Sequence, residues 1–139
     1  NFYNTKIMLI KFPKDDKNFQ WTRHIKNKML FYGLGEQKIR TVLKSPNRKE
    51  EGIAPKTTAV MKRNDRAKRK EEIWLMYQKI NYKQKTINQK LAKNLSGSKI
   101  LMISAWRYPG VSKKGNNIPI PADIMEELDI FTKESDSLK

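Results

Sequence analysis

The chain holds one histidine, His24, the side chain whose ordinary pKa lies nearest neutrality and so the first candidate for moving a proton. Lys28 stands four residues further on, on the same face of any helix that carries both. A second cluster lies in Pro46-Asn47-Arg48-Lys49-Glu50-Glu51-Gly52, where Arg48 and Glu51 put a cation and a carboxylate together on what reads as a loop. A third is Trp106-Arg107-Tyr108, a guanidinium suited to phosphate between aromatic rings suited to bases. A basic run adds Lys62, Arg63, Arg66, Lys68 and Arg69, the residue types of an electrostatic docking surface. Proton transfer and phosphate contact are therefore the chemistry on offer. Each group also has a structural alternative. His24 can simply pack and hydrogen-bond, and Arg48 can pair with Glu51. Trp74, Trp106 and Tyr108 can fill a core, and Arg107, ending the apolar row Leu101, Ile103, Ala105, can meet a structural carboxylate.

Other chemistries fail on inventory. With no cysteine there is no thiolate metal site, disulfide or cysteine nucleophile, and one histidine is too few for an ordinary zinc site. Neither GxGxxG nor GxxxxGK[ST] occurs, no acidic pair suggests magnesium, and Ser104 falls inside an expected strand rather than on a GxSxG elbow. No metal and no cofactor is expected. The 139 residues carry 30 Lys+Arg against 14 Asp+Glu, a net +16. Such a balance points to a polyanion partner. Lysine supplies 23 of the 30 cations, a bias that an AT-rich genome would produce whatever the function. The distribution says more: residues 121–139 are net −4 and the rest net +20, so tail and body can attract each other. No stretch approaches a transmembrane span and no signal pattern is visible, so a cytoplasmic protein with no membrane partner is expected.

The elements that must position these residues follow from periodicity. Lys6–Phe12 reads as a strand closed by Pro13. Thr22 can N-cap a helix to Tyr32 with Ile25, Met29 and Tyr32 inward, and Gly33 can end it in the left-handed region. A second helix, Glu36–Leu43, buries Ile39, Val42 and Leu43. Strands are expected at Thr57–Lys62, Glu72–Gln78 and Lys99–Arg107, the last two apolar on both faces and so covered on both sides. Residues 79–98 form a basic insertion, with Ile80, Ile87, Leu91 and Leu95 at near-helical spacing. Ala122–Phe131 reads as an acidic helix with Ile124, Leu128 and Phe131 inward. The expected architecture is α+β: an αα-hairpin packed on a mainly antiparallel sheet, with a C-terminal acidic helix. Residues 1–131 would form one domain with its core in 21–107, and 132–139 a flexible polar tail.

The order helix, helix, three strands, opened by Trp21-Thr22-Arg23-His24, resembles the RelE/BrnT-like superfamily of small bacterial toxin folds. The matching residues are Thr22 and His24, Met29, Tyr32-Gly33-Leu34, Val42-Leu43 with Pro46, and the strands ending at Gln78 and Arg107, so the likeness spans about 21–107. The resemblance implies a metal-independent endoribonuclease, in which the RNA 2′-OH attacks its own 3′ phosphate, acting on RNA or at the ribosome, with a protein antitoxin as partner. In that scheme His24 is the general acid or base and Glu51 a second proton-transfer group or orienter. Arg48 and Arg107 clamp the phosphate. Lys28 and the turn at 62–70, with Tyr108, dock the RNA. The alternative is a non-catalytic RNA- or ribosome-binding module on the same fold; a DNA-binding role lacks any helix-turn-helix pattern. The acidic 122–131 helix either completes the core or masks the basic surface. The sequence says nothing of oligomeric state.

Overall fold

The computed structural model describes residues 12–81, 97–115 and 117–128. Phe19–Trp21 forms a three-residue strand, β1, whose last residue leads straight into Thr22. Thr22 takes extended backbone angles, and its hydroxyl accepts from Ile25 N and donates to Ile103 O at 2.8 Å. Helix α1, Arg23–Tyr32, thus starts with its cap bonded to the sheet at Ile103, and Gly33 ends it at φ 66°. That left-handed angle is one that glycine adopts without a side-chain penalty. Helix α2 runs Glu36–Lys44 and buries Ile39 and Val42.

Four strands follow: β2 Arg48–Glu51, β3 Thr58–Arg63, β4 Glu71–Asn81 and β5 Ser98–Pro109. They form one mixed sheet in the order β1-β5-β4-β3-β2, antiparallel throughout except for the parallel β1–β5 pair. A seven-residue helix over 122–128, α3, completes the α+β fold. Side chains alternate across the sheet, so the register assigns each residue to a face. On the first face Val60, Ile73, Leu75, Met102 and Ala105 pack against Ile25, Met29, Ile39 and Val42 of α1 and α2. On the second, Met61, Trp74, Met76, Ile103 and Trp106 pack against Ile124 and Leu128 of α3, with Ile118 and Ile120 at the margin. The two central strands are covered on both sides, as their unbroken apolar runs require.

Three expectations change. The run holding Arg48 and Glu51 is not a loop but the edge strand β2, paired to β3 from Arg48↔Met61 to Glu51↔Thr58. Its Arg-Lys-Glu-Glu sequence carries no apolar alternation, because charge is what an edge strand tolerates. Phe19–Trp21 is a strand of its own, stabilised by a partner some eighty residues away that local sequence does not reveal. Lys79–Asn81 and Ser98 lengthen the β4–β5 hairpin into the expected basic insertion. The remainder of that insertion, residues 6–11 of the expected first strand, the end of the acidic helix and the tail lie outside the described residues. Phe12 is described and is not in a strand.

Candidate nucleic-acid interface

Two polar sites flank α1. The first sits at its C-terminal end, against the tight turn joining β3 to β4. Arg66 and Arg69 exchange backbone hydrogen bonds of 2.7 and 3.0 Å across that turn. Asp65 pins its base by accepting from Arg63 and from Glu71 N, and these bonds, Arg63's foremost, draw the Asp65 carboxyl below its usual range. Opposite stands Arg107, whose Nε donates to Tyr32 O at 2.6 Å, Nη2 to Gly33 O and Nη1 to Glu71. Its cation therefore lies where the last carbonyls of α1 concentrate negative potential. Asn64 braces Glu71 from the other side at 2.7 Å. Between these groups is a cleft of about 310 Å³ lined by Tyr32, Gly33, Asn64, Arg66, Arg69, Glu71 and Arg107. Arg107 is partly engaged, whereas the exposed Arg66, Lys68 and Arg69 side chains have no partner among the described residues.

The second site lies along the flank of α1 that faces α3. His24 places Nε2 2.7 Å from Ser104 Oγ and Nδ1 2.5 Å from Glu127. Lys28 Nζ reaches Asp123 at 2.8 Å and Glu127 at 3.1 Å, and the Tyr32 hydroxyl donates to Asp123 at 3.1 Å. Burial holds the His24 pKa below its ordinary value, with the Lys28 charge acting the same way, and outweighs the opposite pull of Glu127. A neutral imidazole then donates from Nδ1 to Glu127 and accepts at Nε2 from the Ser104 hydroxyl. Burial pushes the Tyr32 hydroxyl up to about 12, aided by Asp123. For Lys28, burial favours the neutral form, but hydrogen bonds to Asp123 and Glu127 outweigh it and raise the pKa. The Asp123 carboxyl is opposed by burial, yet bonds from Lys28 and Tyr32 lower it.

Ser104, His24 and Glu127 stand in the order of a nucleophile, its base and an orienting carboxylate. Ser104 is nonetheless wholly buried in mid-strand, so no substrate carbon can reach its hydroxyl. The network is a clasp between α1 and α3, and its pH response follows from the shifts. A lowered histidine pKa means that the unfolded chain binds the proton more readily. The His24 contribution is thus complete above pH 6.5 and is lost as pH falls through its lower folded value. The Asp123 share is complete above 3.8 and lost below its own lowered value. Lys28 and Tyr32, both raised, contribute fully below about pH 10 and lose that share as pH climbs, for Tyr32 toward about 12. Melting temperature should therefore fall as pH drops below 6.5, and His24→Gln should flatten that limb. Parallel melting curves for parent and variant over this range would break the assignment.

The expected phosphate clamp is not assembled. The row Arg48–Met61–Trp74–Trp106 shares the second sheet face, whereas Arg107, opposite Ile73, belongs to the first. Glu51 follows Glu50 on β2 and turns away from the Arg48 side. His24 touches the second face over β5, three strand spacings or about 14 Å from β2. Arg48 is buried, donates to Glu50 rather than Glu51 and to Ser112, and lies 5.3 Å from the Trp74 ring centre. Lys62 donates to Ser45 O, Arg63 is held by Asp65, Glu72 and Gly110 O, and Tyr108 packs beside the Trp74–Trp106 layer. Lys28 is brought to His24, but by carboxylates. Asp123 and Glu127 were the functional-looking residues that sequence reasoning missed. Their four-residue spacing, complementary to that of His24 and Lys28, was the available signal. Among the described residues no cluster of His, Asp and Glu is arranged to hold a metal. No helix among them is long and apolar enough to cross a membrane. No family model, curated protein or solved structure matches the chain.

Proposed function

We propose that this protein binds RNA without cutting it, seating strand phosphates in the arginine cleft between the β3–β4 turn and the end of α1. The observation that carries this reading is the pair Arg66 and Arg69, exposed, unpartnered among the described residues, and facing a third guanidinium at Arg107 across the cleft. Lone surface cations hold phosphate weakly. Guanidiniums on a short, internally bonded turn lose less freedom when they bind, and their planar forks match phosphate oxygens in pairs. The +16 net charge adds long-range attraction for any polyanion. The resemblance to RelE-like proteins selects RNA among polyanions, with the ribosome as one place to meet it.

Cleavage finds less support. His24 lies eight residues, roughly 12 Å along α1, from the Tyr32 end at the cleft. Both its ring nitrogens are already engaged. Fluorescence anisotropy with a single-stranded RNA oligonucleotide tests the reading. Arg66→Ala with Arg69→Ala should weaken binding about tenfold or more, and should reduce the slope of log affinity against log salt by about 1.4, or ~0.7 per lost contact. The RNA should be recovered at full length, with or without ribosomes. Unchanged affinity would overturn the proposal. Shortened RNA that His24→Ala leaves intact would restore the nuclease reading.

A further inference from the structure

The α1 flank that faces α3 carries three donors, and carboxylates of α3 meet all of them. His24, Lys28 and Tyr32 repeat at four-residue intervals on one stripe, and an imidazole, an ammonium and a phenol all turn to α3. Their partners there are the carboxylates of Asp123 and Glu127, themselves four residues apart, at 2.5–3.3 Å. The two halves differ in kind. The Lys28 side chain is 9% exposed on a helix seated against the sheet, while those of Asp123 and Glu127 are 36% and 46% exposed on a seven-residue helix. The donor half is pre-organised, with Lys28 as its cation, and the anionic half faces water. Beside them Phe31 is 71% exposed, the most exposed large apolar residue described. Lys28 Nζ lies 5.5 Å from its ring centre and Tyr32 meets it edge-on at 4.9 Å. No core claims this ring, and an open aromatic face beside a cation is what a base of a single strand stacks on.

From this geometry we infer that His24, Lys28 and Tyr32 form a second phosphate subsite for a single RNA strand, with Phe31 as its stacking platform, and that Asp123 and Glu127 occupy it as internal stand-ins for phosphate. The inference rests on the RNA-binding reading and extends it. Tyr32 links the sites, since its carbonyl receives Arg107 at the cleft while its hydroxyl reaches Asp123. A strand held in the cleft can therefore continue along roughly 12 Å of α1. A phosphate brings more charge and more acceptor oxygens than a carboxylate, so it can compete for the same donors. Apolar anchorage of α3 through Ile124 and Leu128 is separate from this exchange, so the acids can be neutralised without removing the helix from the core.

The test uses the full chain with Asp123→Asn and Glu127→Gln together, which keeps side-chain shape and both apolar anchors. Inorganic phosphate is titrated while the His24 ring is followed by proton NMR, unambiguous because the chain has one histidine. The double variant should give a saturable His24 shift with an affinity at least about tenfold above the parent's, and adding Lys28→Met should abolish it. No saturable shift in the double variant overturns the inference, whether or not tryptophan fluorescence shows α3 still docked. A shift that survives Lys28→Met overturns it too. Phe31→Ala in the double variant should weaken oligouridylate binding at least about fivefold, the loss of one stacked base; unchanged oligouridylate affinity removes Phe31 from the subsite. The phosphate titration does not depend on Arg66 or Arg69, so failure of the cleft and failure of this subsite give different results.

Discussion

Glu72→Ala should destabilise the protein by about 3–5 kcal/mol, since each buried donor that loses its acceptor costs about 1–3 kcal/mol. Glu72 is fully buried on β4 between the second-face tryptophans and the chain after β5. One carboxylate oxygen accepts from Trp74 Nε1 at 3.0 Å and Ser112 Oγ at 2.7 Å, the other from Arg63 Nη1 at 3.0 Å and Ser112 N at 2.9 Å. Alanine removes the acceptor of four donors at once; Arg63 keeps Asp65 and Gly110 O, so the buried Trp74 indole and the Ser112 groups are the donors left without a partner. Urea denaturation would register a lower midpoint. Glu72→Gln should recover part of the loss, since it keeps the shape and one acceptor but presents an amide N–H to a donor. A loss below about 1 kcal/mol for alanine would show that water replaces the carboxylate, contrary to its burial. The same carboxylate steadies Arg63 at the base of the arginine turn, so weaker RNA binding should accompany the stability loss.

Trp106→Ala should cost about 3–5 kcal/mol as well, by a different route: a large cavity in the second-face core. Trp106 is wholly buried, lies parallel to Trp74 with ring centres 6.2 Å apart, and donates from Nε1 to Pro119 O at 2.8 Å. Its loss removes the floor under Ile124 and Leu128 and the bond that fastens the segment leading into α3. The clasp then loosens too. The His24 pKa should rise toward 6.5 as its desolvation is relieved, a change that NMR titration reads independently of stability. A destabilised variant with an unmoved His24 titration would separate the core from the clasp.

Legibility in the sequence followed locality. Thr22 as cap, Gly33 as left-handed terminator, the Ile25–Met29 stripe and the two doubly buried strands were all readable, because each is set by spacing within one element. The two edge strands were not. Phe19–Trp21 is too short to show alternation, and Arg48–Glu51 has none to show, so pairing with distant residues creates both. The acidic C-terminal helix was legible to residue 128, and its apolar pair does pack inward. What the sequence could not say was which cations remain available. Arg48, Arg63 and Arg107 look alike as residue types to Arg66 and Arg69, yet the first three are drawn into Glu50, Glu72 and helix carbonyls by the fold.

By itself the sequence determined an α+β chain with a polycationic body, an acidic end and no thiol or ordinary zinc-ligand set. Periodicity and residue inventory are properties of neighbours along the chain, so they survive without coordinates. Only the tertiary structure decided the rest. It put Arg48 and Arg107 on opposite faces of the sheet, gathered Arg66, Arg69 and Arg107 around one cleft, and laid Asp123 and Glu127 over His24 and Lys28. The physical reason is that a charge acts through its distance to other charges and to water, and both distances are set by packing between elements far apart in sequence.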